Sequence, residues 1–438
     1  MDIDHTTLED LSVFHPEENL SLFDKFDRTR TTGGREALRK LFTTPLNSIA
    51  EIRETQQVLK AIALHEAQWP KKISNGSVMM IHKFFETAVD AIPGYPSVTE
   101  AYMYKLLHGP DYGLVKFSAG HAFDFLSGMK QITDIFSGAD CPGMLSDLIK
   151  RIRDIINKPQ LEEVWRYEKV EDLSIARMLA FASYVRYHFK NLLYELIDIY
   201  SLLDAWYGMA QAVKDNGLVY PEFVESASPL LQLSNLFHPL LAHPVPYDVE
   251  LNENKNFIFL TGANMAGKST FIKSVGVAIY LAHLGMGVPA SSMRMSLFDG
   301  LLTNINVKDN IVKGESYFYS EVTRVKNTVL KVTDGRKWMV LIDELFKGTN
   351  IQDAMKCSTE VINGLVRVRD SFFILSTHLY EISDDLKQHS NIDFQYFETE
   401  VKGDKLEFSY HLKPGVSNDR LGYFILKSEK VIDLLEKI

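Results

Sequence analysis

The stretch FLTGANMAGKSTFIKSVG, Phe259 to Gly276, decides how the rest of this chain is read. It opens in an apolar strand, Asn256–Thr261, closes in a helix, and fills the turn between with glycine, alanine and lysine. Gly262-Ala263-Asn264-Met265-Ala266-Gly267-Lys268-Ser269 fits G-x-x-x-x-G-K-[ST], and Thr270 follows it. The chemistry needs these types in this order. Glycines let successive backbone N–H groups face phosphate oxygens, the lysine reaches the terminal phosphates, and the serine hydroxyl holds Mg²⁺. The following helix presents its positive end. ATP with Mg²⁺ is the expected ligand, bound by residues 262–270.

Working outward, the apolar run of WMVLIDELFKGTN ends in Asp343-Glu344. A carboxylate at the end of a buried strand is where a nucleotide's Mg²⁺ is held, so Ser269 and Asp343 are the expected metal ligands. Glu344 is placed to orient or deprotonate an attacking water. The run FFILS ends in Thr377-His378, where a histidine can hydrogen-bond the γ-phosphate or its water. Lys268, Glu344 and His378 are thus the expected catalytic set. In GESYFYSE (314–321), Gly314 and Ser316 precede a helix expected to begin near Tyr319. Ser316 could cap that helix or offer donors to a phosphate. Its place between the glycine turn and the acidic strand resembles the signature segment of ABC-type ATPases, which completes a partner subunit's site.

The remaining composition narrows the class. A chain of 438 residues with 46% hydrophobic content holds two to four domains with substantial cores. The net charge of −10 requires any nucleic-acid contact to come from a local basic surface. Two cysteines, Cys141 and Cys357, exclude a disulfide scaffold and fit a reducing compartment. The N-terminus has no signal-peptide pattern. The apolar run Val275–Ala290 is broken by His283 and three glycines, which argues for a buried helix rather than a membrane span. A cytoplasmic protein without membrane contact is expected.

Residues 20–65 read as helices interrupted at Thr32-Gly33-Gly34 and Pro45. Turn signals cluster in IPGYP, HGPDYG, GADCPG and NKPQ, so helices with irregular links are expected there. From Asp172 to Lys214, apolar residues recur three, four or seven apart, predicting one long amphipathic helix or two joined near Tyr187-His188. Beyond NGLVYPEF, β-rich runs at 257–260, 338–342, 372–376 and 406–412 alternate with helical stretches, the pattern of a doubly wound α/β domain.

The motifs together resemble the MutS mismatch-repair family. TGANMAGKST resembles T-G-P-N-M-G-G-K-S-T, DELFKGTNIQD resembles D-E-L-G-R-G-T-S-x-x-D, and STHLYEI resembles T-H-Y-x-E-L. ESYFYSE resembles the S-T-F-M-x-E signature, and FHPLL resembles the R-H-P that opens the ATPase domain, which adds His238 to the expected nucleotide-binding residues. Upstream, FDRTRTTGGREALRKLFTTPL is similar to the start of the family's core. The resemblance implies an α-helical core and lever module followed by an α/β P-loop ATPase of the ABC type. The expected segments are an N-terminal piece 1–19, a first part of the core 20–95, a shortened lever or clamp region 96–170, a helix returning to the core 171–234, and the ATPase 235–438. It also implies a chain that lacks the family's mismatch-recognition and connector domains. Phe84-Phe85-Glu86 matches the mismatch-reading Phe-x-Glu in letters, but lies after the core begins and within a helical stretch. Asn304, Asn306, Phe237 and Phe346 depart from the family pattern. They leave the hydrolytic residues intact and bear on coupling between DNA and the ATPase.

A signature acting in trans implies a homodimer with composite ATP sites that closes on branched, distorted or mismatched DNA. Candidate cations are Arg28, Arg30, Arg35, Arg39 and Lys40, then Lys150, Arg151, Arg153 and Lys158. The alternative is an ATP-driven conformational scaffold acting on a protein or ribonucleoprotein partner. A small-molecule kinase has neither the signature nor the histidine strand end, and a membrane transporter would need spans.

Overall fold

Apolar runs without polar alternation form strands buried on both faces, and they organise the C-terminal half. The computed structural model describes residues 1–138, 141–162, 164–306, 317–402 and 405–417, with 431 and 434. Among these residues the strands are β1 (Asp2–Ile3), β2 (Glu222–Phe223), β3 (Leu231–Leu236), β4 (Tyr247–Leu251), β5 (Phe257–Thr261), β6 (Ser292–Met295), β7 (Gly300–Asn304), β8 (Trp338–Asp343), β9 (Phe372–Ser376), β10 (Ile392–Lys402) and β11 (Lys405–Pro414). The early helices are α1 (His5–Asp10), α2 (Leu22–Phe26), α3 (Thr32–Thr43), α4 (Ile49–Leu64), α5 (Asn75–Glu86), α6 (Val98–Leu107), α7 (Gly109–Ile135), α8 (Gly143–Ile156) and α9 (Pro159–Glu162). There follow α10 (Ile175–His188), α11 (Lys190–Asp215), α12 (Lys268–His283), α13 (Tyr317–Val332), α14 (Ile351–Leu365) and α15 (Ser383–Leu386). The chain divides into two compact units, one of residues 1–25, 44–53 and 215–438, the other of residues 26–43 and 54–214.

The first unit is built on a sheet of order β1-β7-β8-β9-β5-β10-β11. Its pairs are parallel except the hairpin β10–β11 at one edge. Every residue of β5 and β9 is buried. A second sheet, β2-β6-β3-β4, shows the alternation of a half-covered sheet, with β4 buried at Tyr247, Val249 and Leu251 only. The N-terminal residues complete the first sheet: β1 pairs with β7, and α1 packs on it. Two glycines permit close approach. A Cβ on Gly276 of α12 would stand 2.7 Å from Leu11 and 2.8 Å from Leu341, and one on Gly300 would meet the Trp338 ring at 2.0 Å.

The second unit is helical. It holds a buried carboxylate, Asp204 on α11, which accepts from the backbone N–H of Arg30 and Thr31 and from the Thr31 hydroxyl. This ties the start of α3 to α11. Burial pushes the Asp204 carboxyl above its ordinary range. The stretch 172–214 is two helices, α10 and α11, parted at the fully buried Phe189. The turn expected at HGPDYG is instead the first turn of the 27-residue α7. Proline has no N–H to lose there and its fixed φ suits a helix start. Phe84 is 1% exposed within α5, so its side chain is core and not available to stack on a base. No helix of the described residues is long and apolar enough to cross a membrane.

Candidate functional site

Three neighbouring strands end at one level. β8, β9 and β5 lie side by side, with Asp343 paired to Ser376 and Ser376 to Leu260. Whatever follows each strand therefore meets at the carboxyl edge of the sheet, where ligands bind in open α/β folds. After β5 comes the glycine turn. Gly262 has φ +142° and Gly267 φ +109°, conformations that side chains avoid. A Cβ at Gly262 would also stand 3.2 Å from the Phe397 carbonyl oxygen. Met265 is left-handed as well, with φ +66°, so the turn curls tightly into α12.

Lys268, the first residue of α12, is 6% exposed. Its Nζ donates to the Gly262 and Ala263 carbonyls at 2.8 Å each and lies 3.4 Å from His378 Nε2. Burial lowers its pKa to about 8, with Asp343 and Glu344 opposing that shift. Ser269 Oγ donates to Asp343 Oδ2 at 2.5 Å, and the other carboxylate oxygen accepts from the Ser376 hydroxyl. Glu344 is held by its backbone N–H to the Ser376 carbonyl at 2.9 Å, and its side chain is 3.4 Å from Lys347 Nζ. Burial, then the Lys268 charge, lowers the His378 pKa, which favours a neutral ring.

These groups line a cleft of about 520 Å³ together with Asn264, Met265, Gly267, Thr270 and Lys347. Its other wall is Leu241, His243, Val245, Tyr247 and Tyr410, residues that carry no motif. Tyr410 comes from β11, and its ring is 3.4 Å from the position of a Cβ on Gly267. Only pairing of distant strands brings it there; its one local sign, a tyrosine within a β-rich run, is too common to single out. Ala263 and Ala266 are buried behind the turn, at 5% and 1% exposure.

Two expected residues from outside the glycine turn stand apart. His238 is not among the lining residues; it is buried, its Nδ1 accepts from the Leu240 N–H at 3.4 Å, and burial with nearby Lys273 lowers its pKa to about 4. Ser316, with Gly314, lies outside the described residues. Several candidate nucleic-acid cations are engaged within the helical unit. Arg30 donates to the Tyr207 hydroxyl at 2.6 Å and sits over its ring, Arg35 pairs with Asp27, and Arg151 pairs with Glu195.

The donor set fits Mg²⁺: a hydroxyl and a carboxylate oxygen already in contact, with no cluster of three or more His, Cys, Asp or Glu among the described residues to form a separate metal cage. Magnesium is commonly held this way, by one or two carboxylates plus phosphate oxygens and water.

Residues 258–434 match the family described as MutS domain V. The chain is 29% identical over 229 residues to the DNA mismatch repair protein MutS of Petrotoga mobilis, covering 51% of this chain and 28% of that protein. It is 30% identical over 218 residues to the DNA mismatch repair protein spellchecker 1 of Drosophila melanogaster, covering 47% and 23%. With the MutS of Thermotoga maritima it shares 26% identity over 270 residues, covering 61% and 33%. The matched part thus spans between 23% and 33% of these relatives' own length. With the glycine turn, the acidic strand end and these matches together, residues 258–434 of the chain carry the MutS family's domain V.

Proposed function

We propose that the chain binds Mg·ATP in the cleft at the ends of β5, β8 and β9 and hydrolyses it slowly, as a switch of shape. The observation that carries this reading is the convergence of Lys268, Ser269, Asp343, Glu344 and His378 on one cleft from three adjacent strands. On this reading the fold is a P-loop ATPase of the ABC type. The backbone of residues 262–270 and the Lys268 ammonium hold the phosphates. Ser269 and Asp343 hold Mg²⁺, which would neutralise charge on the phosphate oxygens. Glu344 orients a water and takes its proton as the water oxygen bonds to the γ-phosphorus and the bond to the β-phosphate oxygen breaks. His378 hydrogen-bonds the γ-phosphate. The apolar and aromatic wall of Leu241, Val245, Tyr247 and Tyr410 suits a nucleobase.

On this reading a second copy completes the site, the role in trans that the resemblance implies for the segment holding Ser316. Supporting this are large apolar side chains left exposed near the cleft's own elements: Met265 at 74%, Tyr319 on α13 at 56% and Ile351 at the start of α14 at 70%. The names of the relatives support DNA as the partner of the dimer, read through its shape and backbone. The ion pairs of Arg35 and Arg151 and the net charge of −10 favour the second reading, a scaffold that moves a protein or ribonucleoprotein partner.

Measuring Mg·ATP binding and turnover, with and without duplex, mismatched and junction DNA across a salt series, tests all of this. Lys268→Ala is expected to lose binding, and Glu344→Gln to keep binding while losing turnover by about 10²-fold or more. A wild-type chain that does not retain Mg·ATP would remove the nucleotide reading. Nucleotide turnover without salt-sensitive DNA binding would transfer the assignment to the scaffold.

A further inference from the structure

Glu321 lies on α13, is not itself among the residues that line the cleft, and is 4% exposed. Each of its carboxylate oxygens accepts one backbone N–H. Oε1 takes that of Lys347 at 3.0 Å, and Oε2 takes that of Gly348 at 3.1 Å. Both amides belong to the loop that leaves β8 after Asp343, and this loop needs support from outside. Glu344 has φ +67° and Phe346 φ +59°, left-handed conformations that residues other than glycine hold only when their surroundings impose them. The first turn of α13 is shaped to the same loop. A Cβ on Gly348 would stand 2.7 Å from the Tyr317 ring and 2.9 Å from the Phe318 nitrogen, and the Phe318 and Phe346 rings lie 5.8 Å apart.

We propose that Glu321 is a positioning residue for hydrolysis: its carboxylate clamps the Lys347 and Gly348 amides, which fixes the strained loop that presents Glu344 to the cleft. The position of α13 then sets whether Glu344 is aligned. The inference rests on the reading of the cleft as an ATPase site. A carboxylate is needed because both partners are donors. Glutamine keeps one acceptor and turns an N–H₂ group toward the other donor, leaving a buried amide unpaired.

The test compares wild type, Glu321→Gln, Glu344→Gln and the double variant, measuring Mg·ATP affinity, kcat and backbone amide exchange. Glu321→Gln is expected to lower kcat by about tenfold to 10²-fold, the scale of a misplaced catalytic group. Affinity should change less than about threefold, since Lys268 and Ser269 reside on α12. The double variant should be no slower than Glu344→Gln alone, because a group acting through another adds nothing once that other is gone. Equal loss of affinity and kcat, or losses that multiply in the double variant, would overturn the proposal. Exchange at Lys347 and Gly348 should quicken in Glu321→Gln while β8 stays protected, and unchanged exchange there would equally overturn it. A wild-type chain without turnover would instead defeat the ATPase reading, and with it the catalytic part of the proposal, while the exchange result still judges the clamp.

Discussion

On the proposed reading, burial readies Lys268 for a phosphate. The ammonium sits among the carbonyls of its own turn, out of water, and its pKa is lowered to about 8. A bound phosphate favours the charged form and would raise that value. Below about pH 8 the lysine is charged before and after binding, so affinity should be flat. Above it, binding must take up a proton, so Mg·ATP affinity should fall by up to about tenfold per pH unit. Titration of affinity from pH 7 to 9.5 checks this, and Lys268→Arg should abolish the dependence. His283 works in the opposite range. It is fully buried, its Nδ1 faces the Leu46 carbonyl at 2.9 Å, and burial lowers its pKa to about 4. Below about pH 6.5 the unfolded chain takes up a proton that the folded one refuses. Stability that is complete above that pH should therefore fall toward pH 4, by about 1.4 kcal/mol per pH unit for each such histidine. Urea midpoints at pH 7 and pH 5 should show a shallower dependence in His283→Asn, since His238 alone then remains of the two.

At the scale of elements, α1 is held to the sheet by a carboxylate as α13 is held to its loop. Asp10 is 2% exposed; Oδ2 accepts from the Thr303 hydroxyl at 2.7 Å and the Ile305 N–H at 3.1 Å, and Oδ1 from the Asn306 N–H at 3.0 Å. Arg324 of α13 approaches the same group at 3.9 Å. The end of β7 thus takes its ladder partner from β8 on one side and its terminal hydrogen bonds from α1. Asp10→Ala strands these donors and should lower unfolding stability by about 3 kcal/mol, read from a urea titration. A loss within about 0.5 kcal/mol would show that the bonds exchange freely with water. The helical unit uses glycine for a related purpose. A Cβ on Gly128 of α7 would stand 2.7 Å from Ile73, so this glycine is a packing notch inside a long helix.

For the whole molecule, the decisive quantity is assembly. If two copies complete each site, Glu344→Gln with Mg·ATP should run as a dimer in light scattering, since bound nucleotide is not consumed. Exclusively monomeric protein under those conditions would refute the composite site. The two compact units make a second readout available, because a switch of shape should change the exchange protection of the helical unit when nucleotide binds the sheet unit.

Much of this was legible in the chain itself. The strands that carry the site were readable as unbroken apolar runs, and the residues that follow them as a phosphate turn, an acidic pair and a histidine. Such signals are local: a buried strand and a left-handed turn each restrict the residues they can contain, whatever the rest of the fold. The break between α10 and α11 fell within two residues of its expected place. Other features arise only when distant segments meet. Tyr410, Asp10 and Asp204 look like ordinary polar residues in sequence, and each takes its role from a partner more than twenty residues away. Local sequence alone named the residues proposed to bind phosphate and metal. Tertiary structure decided what walls the cleft and what clamps its loops, because a buried charge is defined by the donors that surround it, and those come from elsewhere in the chain.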